Sequence, residues 1–441
     1  MRGDIQSCGY RICWGAPWNP ENGSPMKVRH TILSTLFVTW IVSFLDRMAL
    51  PVALPYVADD LHLSPLALGF VLTAFHGGYA LSQIPGGLLA DRFGVRRVAT
   101  LAMLWWSVFT AITGSVGSLV QMMVVRFLFG LGEGLFPACA FKTVAVWFPK
   151  KERATANAIQ LASNPLGAAL SPLIVVWIMS TWGWRAVFHT LFFVGIIISF
   201  LFWKMVRDDP SKDSRLSSTE LSEIEGDVTA DLDAASGNVS ITDALRTPNV
   251  VKYFTIAFFF GIANWGFMTW LPTYLVKARG FSMVEMGVAA SLPFFAGSLG
   301  ALSAGWASDN LFATRRRVPV IGAIIVAPIL MFASMTAQST ALLVICQTLT
   351  GFFLLFFHAS FWAFPMNTIP KKMMGIAGGF INMAAQIAAF VSPLLIGFVV
   401  DQSNGNYNYV FGVLISALLM VLMMALILPR QTGENTLAAT H

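Results

Sequence analysis

Apolar residues run from Ile32 to Leu45, give way to Asp46 and Arg47, and resume as far as Leu54. Eleven further apolar runs follow at about 66–89, 97–117, 119–147, 154–179, 184–205, 251–275, 286–307, 318–337, 340–364, 375–399 and 407–428. Each is close to the roughly 20 residues that carry an α-helix across the hydrocarbon core of a bilayer. Backbone groups in lipid need internal partners, so these runs are expected to be helices. The short alternating segments of a membrane barrel are missing. The pattern predicts an all-α membrane protein with twelve transmembrane helices, numbered here spans one to twelve.

Residues 206–250 contain ten of the 22 acidic residues and no apolar run. They read as a linker, with a surface helix expected around "STELSEIEG". The expected organisation is a tail at 1–30, a six-helix bundle at 31–205, the linker at 206–250, a second bundle at 251–428 and a tail at 429–441. The bundles echo one another. "GLLADRFGVRR" from Gly87 follows span two, and "GWASDNLFATRRR" from Gly305 follows span eight. Each is Gly-x-x-small-Asp and then a basic cluster, with Asp91 and Asp309 218 positions apart. "SPLIVVWI" from Ser171 and "SPLLIGFV" from Ser392 are 221 positions apart. Two matches at nearly one offset imply duplication, and parallel six-helix repeats are a known transporter design.

Composition agrees. The 441 residues are 56% hydrophobic and 11% charged, with mean hydropathy +0.68; soluble domains carry about 25% charged residues. All but six of the 28 Lys and Arg fall on the face shared by the termini and the even-numbered connections. The exceptions are Arg185, Lys277 and Arg279 on the other face and Arg47, Arg126 and Lys142 within spans. The positive-inside rule therefore predicts cytoplasmic termini. The first 25 residues lack the apolar stretch of a signal peptide and read as a disordered tail, with Met26 a second plausible start. Cys8, Cys13, Cys139 and Cys346 show no metal spacing. "GLGEG" lies inside span four with no G-K-[ST] after a strand, so its glycines suit close helix packing. No cofactor, metal, nucleic acid or catalytic set is expected.

Four charges lie deep in the first half: Asp46 and Arg47 in span one, Arg126 and Glu133 in span four. Each costs about 2.5–3.5 kcal/mol at the bilayer centre even on the lenient insertion scale. Asp46 and Arg47 point about 100° apart on their helix and do not face each other. Arg126 and Glu133, seven apart, share a face but stand roughly 10 Å apart along the axis, too far to pair. Each needs a partner on another helix, water or a ligand. Structural packing is the plainer alternative, yet buried ion pairs are often no more stabilising than apolar replacements. Span two adds His76, Tyr79 and Gln83 as one polar stripe. Asn164 precedes Pro165 in span five, Asn264 lies in span seven with Trp270 and Tyr274 beyond, and span ten carries His358, Ser360 and Trp362.

"GGLLADRFGVRR" resembles the loop signature of the major facilitator superfamily. "GYALSQIPGGLLADRFG", "RFLFGLGEG", "VAVWFPKKERATA" and "FWAFP" resemble its anion:cation symporter family, which includes bacterial transporters of galactonate, hexuronates, glucarate and tartrate. The resemblance spans the chain. It implies alternating-access transport of a small organic anion with protons, in a bacterial inner membrane, by a monomer. It implies that spans one, four, seven and ten line a central cavity, where the four charges could form a neutral network. By the same resemblance Asp46 and Glu133 would accept protons and Arg47 would contact the substrate carboxylate. Arg126 would pair with that carboxylate or with an acid. A carboxylate balanced between burial and a nearby arginine can titrate near neutral pH, and an incoming anion competing for the arginine would couple the two. Tyr79, Asn382 and Trp362 are further substrate-binding candidates, as is His76, where the sequence departs from the usual family pattern. Asp91, with Arg92, Arg96, Arg97 and Arg153, would form a latch at the cytoplasmic start of span eleven; topology charge alone is the alternative.

An exchanger without net proton flow is the alternative function, and a transporter-like sensor a more remote one. Two arginines imply an anion without saying which. The sparse polar set in spans seven and ten hints at fewer hydroxyl contacts than a sugar acid would use.

Overall fold

A computed structural model describes residues 27–225, 249–311, 317–370 and 373–428. Everything regular in these residues is helical. Span one is Val28–Asp60, span two Pro65–Phe93 and span three Val95–Thr113. Span four comes in two pieces, Leu119–Glu133 and Phe136–Trp147. Pro137 explains the break, because it lacks the N–H that would bond the carbonyl of Glu133. Spans five and six form one 56-residue run, Lys150–Met205, broken at Gly183 with φ +80°. At 1.5 Å per residue its length is well over twice the hydrocarbon thickness, so it crosses twice. Spans seven to twelve are Val250–Lys277, Met283–Asn310, Arg317–Thr336, Thr340–Thr368, Met374–Gln402 and Asn408–Ile427.

The repeat seen in the sequence recurs in the packing. Span two packs on span four as span eight packs on span ten, and spans three and six meet as nine and twelve do. Ser171 Oγ donates to the carbonyl of Leu45 at 2.9 Å, and Ser392 Oγ to that of Ile262 at 2.7 Å. The two serines picked out by their offset thus staple span five to one and span eleven to seven. Glycines set the closest approaches. A Cβ on Gly130 would lie 2.2 Å from the carbonyl oxygen of Phe75, and one on Gly351 would lie 2.3 Å from that of Pro293. Small residues let backbones touch where lipid supplies no drive for helices to associate.

The described part of the linker is fastened to the bundle. Helix Ser218–Glu225 lies in the stretch where the surface helix was expected. Glu220 accepts hydrogen bonds from the amides of Val28 and Arg29, at 3.2 and 3.1 Å, and so caps the start of span one. Glu223 pairs with Lys27 and Arg29. Asp208 does the same for span three, accepting from the amide of Arg96 at 2.8 Å. Carboxylates at helix N-termini meet unpaired amides and the positive end of the helix dipole.

The halves touch mainly away from the termini. Thr73 Oγ1 of span two donates to the carbonyl of Phe390 in span eleven at 2.8 Å. A Cβ on Gly69 would meet the Pro393 carbonyl at 2.8 Å, and one on Gly397 the Pro65 carbonyl at 2.6 Å. Spans five and eight meet at Gly287, close to Val176. Lys277 and Asp59 form an ion pair across the same face.

Candidate functional site

The four deep charges are drawn into one buried cluster. Asp46, Arg47, Arg126 and Glu133 are each no more than 6% exposed. Arg47 Nε donates to Glu133 Oε2 at 3.1 Å, joining span one to span four. Ser43, one turn before Arg47, donates to Glu133 Oε1 at 2.6 Å. Asp46 turns the other way, towards span three, where Thr110 Oγ1 donates to its Oδ2 at 2.7 Å. Thr110 Oγ1 also lies 3.0 Å from the carbonyl of Trp106. Adjacent residues on a helix diverge by about 100°, and here the divergence sends acid and base to different helices.

Polar atoms remain unspent. Nε and Nη1 of Arg126, Nη2 of Arg47 and Oδ1 of Asp46 are buried without a hydrogen-bond partner. Buried polar groups nearly always have partners, and leaving one unmade costs about 1–3 kcal/mol, more when charged. What contacts the guanidiniums instead is aromatic. Arg47 lies 4.5 Å from the ring centroid of Phe44 and 4.7 Å from that of Tyr79. Arg126 lies 4.3 Å from Phe129, and both arginines lie 5.3 Å from Phe75. Cation–π contact offsets part of their desolvation.

The other candidates sit at varied distances from this cluster. Tyr79 is in it. His76 is buried, packs edge-on against Phe75 at 4.9 Å, and meets Trp265 of span seven at 5.0 Å across the halves. Trp362 donates to His358 Nε2 at 3.4 Å, and His358 stacks on Phe260 at 5.6 Å. Asn382 is exposed on span eleven. Asn264 points its amide at the sulfur of Met268, 3.4 Å away.

The signature loop is pinned inside its own half. Asp91 pairs with Lys142 of span four at 2.6 Å, where arginine partners were expected. Span two packs along span four, which brings this in-span lysine within reach. Arg96 lies 3.9 Å from the Trp203 ring centroid and donates to the Trp203 carbonyl; Arg92 lies over Phe93. Arg153 Nε donates to the Phe148 carbonyl, and Arg97 is exposed. Ser43, Thr110, Lys142 and Trp265 are the positions that sequence reasoning gave no role. Ser43 could have been found, being one turn from Arg47; a threonine and a tryptophan in apolar runs carry no such signal.

Comparison with known proteins settles the family. The Major Facilitator Superfamily profile matches residues 36–393 and 286–440. The chain belongs to the Major Facilitator Superfamily. This superfamily membership makes it a multi-pass membrane transporter and not an enzyme. It is 33% identical over 405 residues to the probable galactarate/D-glucarate transporter of Escherichia coli (strain K12), covering 87% of this chain and 90% of that one. It is 34% identical over 395 residues to the probable sulfoacetate transporter of Cupriavidus necator, covering 88% and 90%. The hexuronate transporter of Bacillus subtilis is 30% identical, covering 87% and 91%. Among solved structures, a bacterial homologue of the human lysosomal transporter Spinster, inward-facing and occupied, superposes with a TM-score of 0.74 at 15% identity, covering 91% and 96%. That likeness concerns the major facilitator fold alone.

Proposed function

We propose that this chain imports a small organic anion together with protons, by alternating access, across a bacterial inner membrane with both termini cytoplasmic. One observation carries the reading: Arg126 keeps two buried donors without partners beside two buried acids. A site that holds guanidinium donors out of water and leaves them unpaired is prepared for an anion. The relatives named for galactarate, glucarate, hexuronate and sulfoacetate all carry anions. The basic face that holds the termini supports the orientation. On that orientation the contacts between halves lie on the outward side, which supports reading this arrangement as closed to the outside. Both halves of the site lie in one chain, so a monomer suffices.

The arrangement suggests how the proton couples. Arg47 is spent on Glu133. An anion that takes over Arg47 leaves Glu133 buried without its counter-charge, and a buried carboxylate in that position is neutralised by a proton. Ser43, 2.6 Å from Glu133 Oε1, has a hydroxyl that can donate to the carboxylate or accept from the carboxylic acid. Thr110 serves Asp46 in the same way. Its hydroxyl donates to the carboxylate, or accepts from the carboxylic acid and turns its own hydrogen to the Trp106 carbonyl. Asp91 and Lys142 form the resting contact of the signature loop, and Asp91 is released to span eleven when the cytoplasmic side closes, with Arg92, Arg96, Arg97 and Arg153 around it.

Proteoliposomes with an imposed pH gradient test the reading, using galactarate, D-glucarate, sulfoacetate and phenylacetate as probes. Gradient-driven accumulation is expected in the wild type and lost in Asp46→Asn and Glu133→Gln, with counterflow retained. Accumulation unchanged in both variants rules out their proton role. Counterflow indifferent to pH in the wild type makes the protein an exchanger.

A further inference from the structure

Resting on that reading, we infer that the anion taken by this site is a monoanion with a flat apolar body, an aryl or arylalkyl carboxylate. Charge is the first argument. Of the two arginines at the site, Arg126 offers two buried, unpartnered donors, and Arg47, bonded to Glu133 through Nε, offers one. One carboxylate answers these three donors, and the proton that Glu133 takes as it gives up Arg47 balances that single charge.

Surface chemistry is the second argument. The guanidiniums are walled by Phe44, Phe75, Tyr79 and Phe129. The opposite half meets this wall with Trp265 and Met268, which pack with Phe294 and Phe44 around Met48. Ring faces and edges of this kind favour a flat partner in stacked or edge-on contact, worth about 0.5–1.5 kcal/mol beyond area.

Scarcity of polar groups is the third. His76 is turned edge-on between Phe75 and Trp265, and Asn264, the neighbour of Trp265 in sequence, directs an amide N–H at the thioether of Met268. A polyhydroxylated acid would bring several hydroxyls against rings, each costing about 1–3 kcal/mol if left unpaired. An aryl body has none to satisfy. Trp265 is then a specificity-determining residue that touches the body of the substrate, while Arg126 holds its charge.

The test is binding to the purified full-length protein, read by thermal shift and by tryptophan fluorescence, with phenylacetate, cyclohexylacetate, galactarate, D-glucarate and sulfoacetate. Phenylacetate is expected to bind at least about tenfold more tightly than galactarate or D-glucarate, since each unpaired hydroxyl is worth roughly a decade. Trp265→Leu should weaken phenylacetate about tenfold, from the loss of one aromatic contact, and bring it level with cyclohexylacetate. Trp265→Phe, which keeps a ring, should retain most of the affinity and shows that a loss in Trp265→Leu is not misfolding. Tighter binding of a diacid or of sulfoacetate than of phenylacetate overturns the inference and leaves organic-anion transport standing. So does phenylacetate affinity unchanged in Trp265→Leu. No binding of any of the five overturns both.

Discussion

Asp46 and Arg47 are neighbours in sequence with no partner in common. Arg47 reaches Glu133 on span four and Asp46 meets Thr110 on span three. A buried pair of this kind is a poor source of net stability, but breaking it by removing one member leaves an uncompensated charge, at about 3–5 kcal/mol. Arg47→Gln and Glu133→Gln are therefore each expected to lower the melting temperature in detergent. The double variant should regain most of that loss while remaining inactive. Additive losses in the double variant would show that the two groups are not coupled. Much of this was legible beforehand. The cost of charge in lipid singled out four residues, and helix geometry said that neither neighbour nor seventh residue could be the partner. Which helix answers each charge was not legible, because Thr110 looks like any threonine in an apolar run and its role depends on how span three packs.

At the scale of elements, apolar run length gave the twelve crossings, and the paired serines gave the repeat, whose bonds now appear as Ser171 to Leu45 and Ser392 to Ile262. The break after Glu133 could also have been read from Pro137. The acidic linker shows where composition stops short. A run of acids reads as solvated, yet Glu220 and Asp208 cap spans one and three, and Glu223 clamps Lys27 and Arg29. Hydrogen bonds from Lys27 and then Arg29 hold the Glu223 carboxyl below its usual range. Arg215 does the same for Asp213. A carboxylate depressed in the folded state stabilises docking fully above its unfolded pKa and loses that contribution as pH falls through the lower folded value. Docking should therefore be constant from pH 8 to 5 and weaken only below about pH 4. Hydrogen exchange of the Val28 and Arg29 amides measures it; release between pH 6 and 7 would contradict this account.

At the scale of the molecule, the seal between halves is made by backbone and small residues rather than by charge. Gly69 and Gly397 allow spans two and eleven to touch. The ion pair of Asp59 with Lys277 crosses the same face, but Asp59 is 67% exposed, and exposed pairs contribute only about 0–1 kcal/mol. The pair marks the seal without making it. Removing it with Lys277→Ala should leave transport within about twofold of wild type, in keeping with that small energy. Tying the same two positions together should do the opposite, since alternating access requires this face to part. In a chain whose native cysteines are replaced, Asp59→Cys and Lys277→Cys bridged by a short reducible bifunctional thiol reagent should abolish uptake, and reductant should restore it. The single variants treated with the same reagent should stay active, which separates tethering from chemical damage. Uptake that continues with the bridge intact would mean that the halves do not separate here, and the rocking of one bundle against the other would have to be replaced by a smaller gate nearer His76 and Trp265, where the two halves make aromatic contact at the site itself.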